Sequence, residues 1–496
     1  MMELKKVIYK VSLKMTIGSV NIRVNDISFD SREVKKNNIF VALKGSIDNG
    51  FKYIDKAILN GANSIICEEV PEVIDKKITY LIVQDSKRAL AIISNNFYDN
   101  PSKKICLIGI TGTNGKTTTV TLLYELLKSL GFKVGMISTI SFKYNGIDEN
   151  TLHTTPDSIT LNQYLRRMVD HGIEYCFMEV SSHGIDQSRI FGLNFKGGVF
   201  LNISHDHLDY HKTFKDYRDV KKTFFDQLPK EAFALSNFDD KNGKYILQNT
   251  LADKKSFSIN SYSDYNAVIL ESDFSGMLIK INNTDFWTHL IGKYNASNLL
   301  AVYSVAMLLK LDSINVLSHL SKLKNVRGRF DIINAKKAKI IIDYAHTPDA
   351  LKNVLTSINE IRKDFKKLIT VVGCGGDRDK KKRPLIGKIA SIKSDKVIFT
   401  SDNPRNEDPK KIIESMNNGV PSECIKKVIN VINREEAIRK AFSMLKSGDV
   451  LLIAGKGHEE FQEVKGRKKP FNEYKIVEYF KKRRFQITSG RKKNIK

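Results

Sequence analysis

Lys116 and Thr117 close the segment LIGITGTNGKTTT, residues 107–119, and their types and spacing suit nucleoside triphosphate chemistry. An apolar run feeds a loop rich in glycine and threonine, so amides at the start of the following helix would face an anion. Gly112 and Gly115 let the main chain approach phosphate oxygens closely. Lys116 would reach the β- and γ-phosphates, and the Thr117 hydroxyl would bind the magnesium that bridges them. The strict phosphate-loop pattern has glycine at 110, where this chain has Ile110; Gly109 and Gly112 are expected to keep the loop permissive. Further on, MEVSSHG ends an apolar run on Glu179, a costly place for a carboxylate unless it holds a metal or its water. The segment NISHDHLDYHKTF gathers His205, His207 and His211 around Asp206 and Asp209. That spacing fits no standard zinc pattern and no cysteine is near. His207 is therefore assigned to a second magnesium, with the two aspartates as polar supports. Lys221, in YRDVKKTFFDQL, reads by itself as an exposed helical lysine.

These groups need elements to hold them. Short apolar runs alternate with amphipathic stretches: ICLIGI, KVGMIST, YCFMEV and GGVFLNI, then KIIID, KLITVV, KVIFT and DVLLIA. The pattern predicts an α/β protein with parallel sheets. A helix is predicted over 117–130, stopping at Gly131. A chain of 496 residues is too long for one core. Breaks at DNPSKK and NVRGRFD divide it into 1–103, 104–328 and 329–482, with a basic tail at 483–496.

Composition narrows the class. Hydrophobic residues make up 41%, and no apolar run is long enough to span a bilayer. The opening MMELKKVIYKVSLKMTIG has neither the apolar core nor the cleavage site of a secretion signal, which predicts a cytoplasmic protein. Cys67, Cys106, Cys176, Cys374 and Cys424 form no CxxC pair and read as reduced, mostly core thiols. The net charge of +26 is spread along the chain with many Asn and Ile residues, as a compositional bias would be. Its one dense cluster, Lys481 to Lys496, reads as a solvated, disordered tail rather than a nucleic-acid arm. Neither nucleic acid nor membrane is expected as a partner.

The motifs TGTNGKTTT, MEVSSHG, DHLDYH, GKYNASN, DYAHTPD and CGGDRDKKKRP occur in the order found in the Mur ligases, which the chain resembles from residue 29 to 459. The resemblance implies three domains: an N-terminal UDP-sugar binder, a central P-loop ATPase and a C-terminal Rossmann-like domain that brings an amino acid. It implies a monomeric, ATP- and Mg2+-dependent ligase. Such an enzyme joins meso-2,6-diaminopimelate to the D-glutamate γ-carboxylate of UDP-N-acetylmuramoyl-L-alanyl-D-glutamate through an acyl phosphate, in peptidoglycan precursor synthesis. By the same resemblance, Gly112, Thr113, Asn114, Gly115, Lys116, Thr117 and Thr118 surround the phosphates. Thr117 and Glu179 share one magnesium and His207 takes a second. Lys221 is the position that becomes carbamylated, since a carbamate is an anionic oxygen ligand where an ammonium would repel the metal. Asn295 and Asn298 fall on the adenine side, and Arg329, Asp343 and His346 meet the nucleotide from the third domain.

Substrate positions carry over likewise. Phe29, Ser31, Ser46, Ile47 and Asp48 match the uridine site, with Phe29 standing where relatives have an aliphatic residue. His153, Thr154, Thr155, Ser181, Gln187 and Arg189 match contacts to the muramoyl peptide, His153 replacing an asparagine. Asp402, Asn403, Pro404 and Arg405, in SDNPRNEDP, resemble the diaminopimelate-adding branch, with Arg378, Gly455 and Glu459 completing the amino-acid contacts. Diaminopimelate has one carboxylate more than lysine, and a guanidinium fork pairs bidentately with a carboxylate. The alternatives are the same ligation with L-lysine, a folylpolyglutamate synthetase and, on charge alone, a nucleic-acid-associated P-loop ATPase.

Overall fold

The computed structural model describes residues 1–490 apart from 46–47, 152, 336–337 and 363–365, with side chains described to residue 482. Three sheets organise it. The first has the order Leu13–Ile17, Thr79–Val83, Ala62–Cys67, Asn38–Val41, Ile27–Ser28, antiparallel only at its first pair. Thr79–Val83 and Asn38–Val41 are buried at every position, because layers cover both faces of a parallel sheet.

The central sheet has eleven strands. Cys106–Thr111 lies between Tyr175–Glu179 and Gly197–Phe200, parallel to both, so the phosphate loop leaves the carboxyl edge at mid-sheet. Glu179 pairs in register with Ile110, which brings its carboxylate beside the loop. The helix after the loop is Lys116–Ser129, and Gly131, at φ +93°, supplies the left-handed stop. Gly109 corrects the expectation placed on it: it lies inside the strand. An added Cβ would come within 2.6 Å of the Phe224 ring and 2.9 Å of Phe195, so this glycine serves packing and not loop freedom.

The third sheet runs Asp331–Ala335, Ala338–Asp343, Val450–Ala454, Leu368–Cys374, Lys396–Ser401, Val428–Asn430, again antiparallel only at its first pair. The last helix, Glu473–Gly490, continues past the boundary expected at 482 and through the start of the basic cluster expected to be disordered. Val477, with Tyr474 and Phe480 at helical spacing, packs on the apolar cluster around Ile438, Phe442 and Leu451, and that burial anchors the helix up to Phe480. Residues 491–496 lie outside the described residues.

One buried ion pair ties this helix to the sheet. Arg434 and Glu473 are 2.7 Å apart and fully buried, and Arg434 Nη2 also donates to the Ala454 carbonyl at 2.8 Å. Arg434→Ala would leave Glu473 buried without its counter-charge, at a cost of about 3–5 kcal/mol. A lowered urea midpoint is the expected result, with an unchanged midpoint counting against it.

Among the described residues no helix is long and apolar enough to cross a membrane. All five cysteines are free thiols and four are buried. Burial pushes the Cys67 and Cys374 thiols up to about 12, which makes both inert.

Candidate active site

The phosphate loop is shaped by Gly115 at the helix N-terminus, with φ +88°. A Cβ there would stand 2.5 Å from Asn298 Oδ1, so the loop and Asn298 meet only because the position is glycine. Lys116 Nζ donates to the Gly112 and Thr113 carbonyls at 2.8 and 2.9 Å, arching back over the loop. Burial pushes its ammonium pKa down. Thr117 Oγ1 donates to Glu179 Oε1 at 2.8 Å. Glu179 is 1% exposed and also accepts from the Thr139 amide at 2.8 Å and the Thr139 hydroxyl at 3.1 Å. Hydroxyls and an amide hold this carboxylate, not a salt bridge. The corner is built from hard oxygen donors, the set that suits magnesium.

Lys221 departs from its reading as an exposed lysine: it is 1% exposed. Tyr217, Phe224 and Phe225 share the buried face of the helix Phe214–Asp226, and that face turns Lys221 onto the phosphate loop. Its Nζ donates to Thr111 Oγ1 at 3.3 Å and to the Gly112 carbonyl at 3.2 Å, with the Tyr217 ring 4.8 Å away. Lys222 points elsewhere and pairs with Asp226 at 2.8 Å. The choice between adjacent lysines is thus made by geometry. Burial, with Lys116 nearby, pushes the Lys221 amine well below the usual lysine range.

His205 diverges from the other two histidines. His207 sits at φ 55° with Nε2 3.5 Å from Asp206 Oδ2, and desolvation holds it below the usual histidine range, which favours a neutral imidazole that can ligate a metal. Asp206 is buried and accepts from the His207 amide, while Asp209 faces solvent. His205 instead meets Asp379 of the third sheet unit at 2.9 Å, and His211 packs on Tyr217. No cluster of three or more His, Cys, Asp or Glu suited to a metal occurs among the described residues.

A cavity of about 390 Å³ lies between the loop and the third sheet unit, lined in part by Asn114, Gly115, Thr118, Asn298, Arg329, Asp343 and His346. Asn295 does not line it. It donates to the Ile291 carbonyl and accepts from Asn298 Nδ2 at 3.3 Å, so it acts by holding Asn298. Arg329 Nη2 donates to Thr117 Oγ1 at 3.3 Å, Asp343 accepts the Phe330 and Ala345 amides, and His346 Nδ1 lies 2.9 Å from the Tyr344 carbonyl. Burial raises the Asp343 carboxyl above its ordinary value. Asn114 is bound from across the cavity by Asp349 at 3.2 Å and by the Thr347 hydroxyl at 3.4 Å.

On the other flank, Phe29 shares a small cavity with His153, Gln187 and Arg189. Arg189 donates to the Thr155 carbonyl at 2.6 Å and to Gln187. The Thr155 hydroxyl donates to the Glu179 carbonyl and accepts the Ser181 amide, and Thr154 accepts from Thr139. Arg189, Thr155 and Glu179, with Thr139 and Thr154, thus form one hydrogen-bonded chain. Ser31 is buried, its carbonyl accepting from Asn60, and Asp48 accepts from the Tyr53 hydroxyl. Ser46 and Ile47 lie outside the described residues.

In the third unit, Asp402, Asn403, Pro404 and Arg405 follow the strand Lys396–Ser401. Arg405 Nε donates to Glu463 at 3.1 Å and Nη1 to the Gly376 carbonyl at 2.6 Å. Asn403 donates to Glu459 at 3.0 Å. Asp402 Oδ2 would lie 2.7 Å from a Cβ on Gly455, and Arg378 and Arg405 both flank Gly375. Four contributors were not singled out from sequence: Thr139, Asp349, Lys456 and Glu463. Asp349 and Lys456 stood inside the motifs DYAHTPD and AGKGHE, whereas Thr139 and Glu463 have no local signal.

Residues 110–306 match the Mur ligase middle domain and residues 328–457 the Mur ligase glutamate ligase domain. A relative from Phocaeicola vulgatus, named UDP-N-acetylmuramoyl-L-alanyl-D-glutamate–2,6-diaminopimelate ligase, is 48% identical over 480 residues, 96% of this chain and 99% of its own length. One of the same name from Cytophaga hutchinsonii is 48% identical over 481 residues, 96% of this chain and 98% of its own. A solved structure of a ligase of that name superposes with a TM-score of 0.69 at 28% identity, covering 98% of this chain and 99% of that one.

Proposed function

The chain belongs to the Mur ligase family, and from that premise we propose that it joins meso-2,6-diaminopimelate to UDP-N-acetylmuramoyl-L-alanyl-D-glutamate at the expense of ATP. We place its three units at 1–103, 104–328 and 329–482 and read it as a cytoplasmic, monomeric enzyme of peptidoglycan precursor synthesis. The observation that carries the substrate choice is Arg405. Its Nε and one Nη1 hydrogen are committed to Glu463 and Gly376, so the Nη1–Nη2 edge is the one left to meet a carboxylate. Lysine has no second carboxylate to place there.

ATP occupies the cavity between the loop and the third unit in this reading. Lys116, released from the Gly112 and Thr113 carbonyls, lies against the β- and γ-phosphate oxygens and balances the charge that develops in transfer. Thr117, Glu179, His207 and carbamylated Lys221 would hold magnesium, which when bound neutralises phosphate charge. The depressed pKa of Lys221 favours the neutral amine, the form that adds carbon dioxide. The chain through Thr155, Gln187 and Arg189 orients the D-glutamyl γ-carboxylate. Its oxygen attacks the γ-phosphorus, the bond to ADP breaks and an acyl phosphate forms. The neutral amine of diaminopimelate then attacks the acyl carbon, and the C–O bond to phosphate breaks. Phosphate leaves, in place of the oxide or hydroxide an unactivated carboxylate would have to expel, and the proton lost from nitrogen passes to phosphate or solvent. Arg329 on Thr117 and Asp349 on Asn114 hold the third unit over the loop, where water would otherwise hydrolyse the acyl phosphate.

Phosphate release with ATP, magnesium and the UDP-dipeptide tests the reading, with meso-diaminopimelate and L-lysine added separately. Strong turnover with diaminopimelate alone is expected. Preference for lysine would overturn the role given to Arg405, and silence with both would overturn the ligase itself.

A further inference from the structure

Two charged side chains behind the amino-acid site belong to none of the roles above. Lys456 is fully buried in the turn that follows the strand Val450–Ala454. Its Nζ donates to Glu459 Oε2 at 2.7 Å and to Asn403 Oδ1 at 3.0 Å. Glu463 lies on the strand Phe461–Val464, and its carboxylate accepts Arg405 Nε at 3.1 Å. The Glu463 amide donates to the same Asn403 Oδ1 at 2.9 Å, and its carbonyl accepts the Arg405 amide at 3.1 Å. Asn403 is therefore the hub. Its oxygen takes donors from both Lys456 and Glu463, which fixes the amide so that Nδ2 faces Glu459.

We propose that Lys456 and Glu463 are positioning residues of the amino-acid site, dividing the receptor for a zwitterionic end group between them. Lys456 sets Glu459, the group of the right sign for an ammonium. Glu463 sets Arg405, the group of the right sign for a carboxylate. The division follows from charge and contact. A buried ammonium on Glu459 Oε2 stops that carboxylate from swinging onto Arg405, and a carboxylate on Nε turns the far edge of the guanidinium outward. The strain of the arrangement also marks it: Arg405 is held at φ 50°, a conformation an arginine adopts only when its surroundings impose it. Its own amide and carbonyl are bonded to Glu463 and Lys465 of the hairpin, which supplies that constraint. The inference rests on the ligase reading above and concerns how that reading's substrate is aimed.

Steady-state phosphate release by the full chain tests it, varying one substrate while the other two are saturating. Glu463→Gln keeps the shape and removes the charge, and Lys456→Met removes the ammonium from a site that tolerates an apolar stem. Each is expected to raise KM for meso-diaminopimelate about tenfold or more while KM for ATP and for the UDP-dipeptide stays within about twofold. Thermal melting of both variants accompanies the kinetics. A diaminopimelate KM within about twofold of wild type in a folded variant would overturn the inference. So would a uniform rise in all three KM values, the mark of a merely structural role. A wild-type enzyme silent with diaminopimelate would instead remove the reading on which the inference stands.

Discussion

Lys116→Ala is expected to lower kcat for ligation by about a thousandfold or more, with the protein folded and the UDP-dipeptide still bound. The lysine supplies the one side-chain cation in the phosphate loop. In its absence charge developing on the transferred phosphoryl group would meet amides, metal and Arg329, which is anchored on Thr117. The structure favours a large effect over a modest one. Lys116 is partly buried, and Glu179 and Asp206 face it as acids while Arg329 and Lys221 face it as bases. A partly buried cation acts through a medium of lower dielectric constant than water, where each interaction exceeds its strength in water. Single-turnover phosphate release separates chemistry from binding, and near-normal turnover in Lys116→Ala would remove the mechanism. Truncation also frees the Gly112 and Thr113 carbonyls, groups that the loop can hydrate at small cost to stability.

Lys221→Ala is expected to cost about a hundredfold or more in kcat/KM and to regain activity with added formate or acetate. The rescue is the discriminating result. If the side chain acts as a carbamate, the variant lacks an anionic oxygen ligand beside Thr111 and Gly112, and a short carboxylate fits the space left by the removed stem. If it acted as an ammonium, a carboxylate would bring the wrong charge. Lys222→Ala is the natural control. Its partner is Asp226, away from the loop, and ligation should survive. Loss without rescue in Lys221→Ala, or equal loss in both variants, would refute the assignment.

Local signals made the machinery of the centre readable. The strand into the phosphate loop, the glycine at 115 and the helix stop at Gly131 each answer a requirement set by a few consecutive residues. A left-handed φ calls for glycine, and a short continuous apolar run calls for a strand buried on both faces, whatever the rest of the chain does. The order of the motifs carried the family in the same way, and with it Asn114, Gly115, Thr118, Asn298, Arg329, Asp343 and His346 of the cavity lining.

What resisted reading was decided between distant segments. Composition made Lys221 a surface lysine because a single sequence does not say which helix face meets the phosphate loop; the contact joins residues 110 apart. Asn295 and Asn298 were matched together, and only packing shows that Asn298 lines the cavity while Asn295 accepts from its amide from behind. The last helix is anchored up to Phe480 by apolar positions that find a surface supplied by residues 438 to 451, far away in sequence. His205, His207 and His211 looked like one cluster on paper; the fold sends His205 to Asp379 and keeps His207 and His211 together around His183 and Tyr217. Sequence by itself determined which chemistry the chain handles, because phosphate binding, strand burial and motif order are written in short stretches. Only the tertiary structure decided which lysine faces the loop and which acid and base aim the amino-acid site. Those roles belong to pairs of side chains that meet only after the chain has folded.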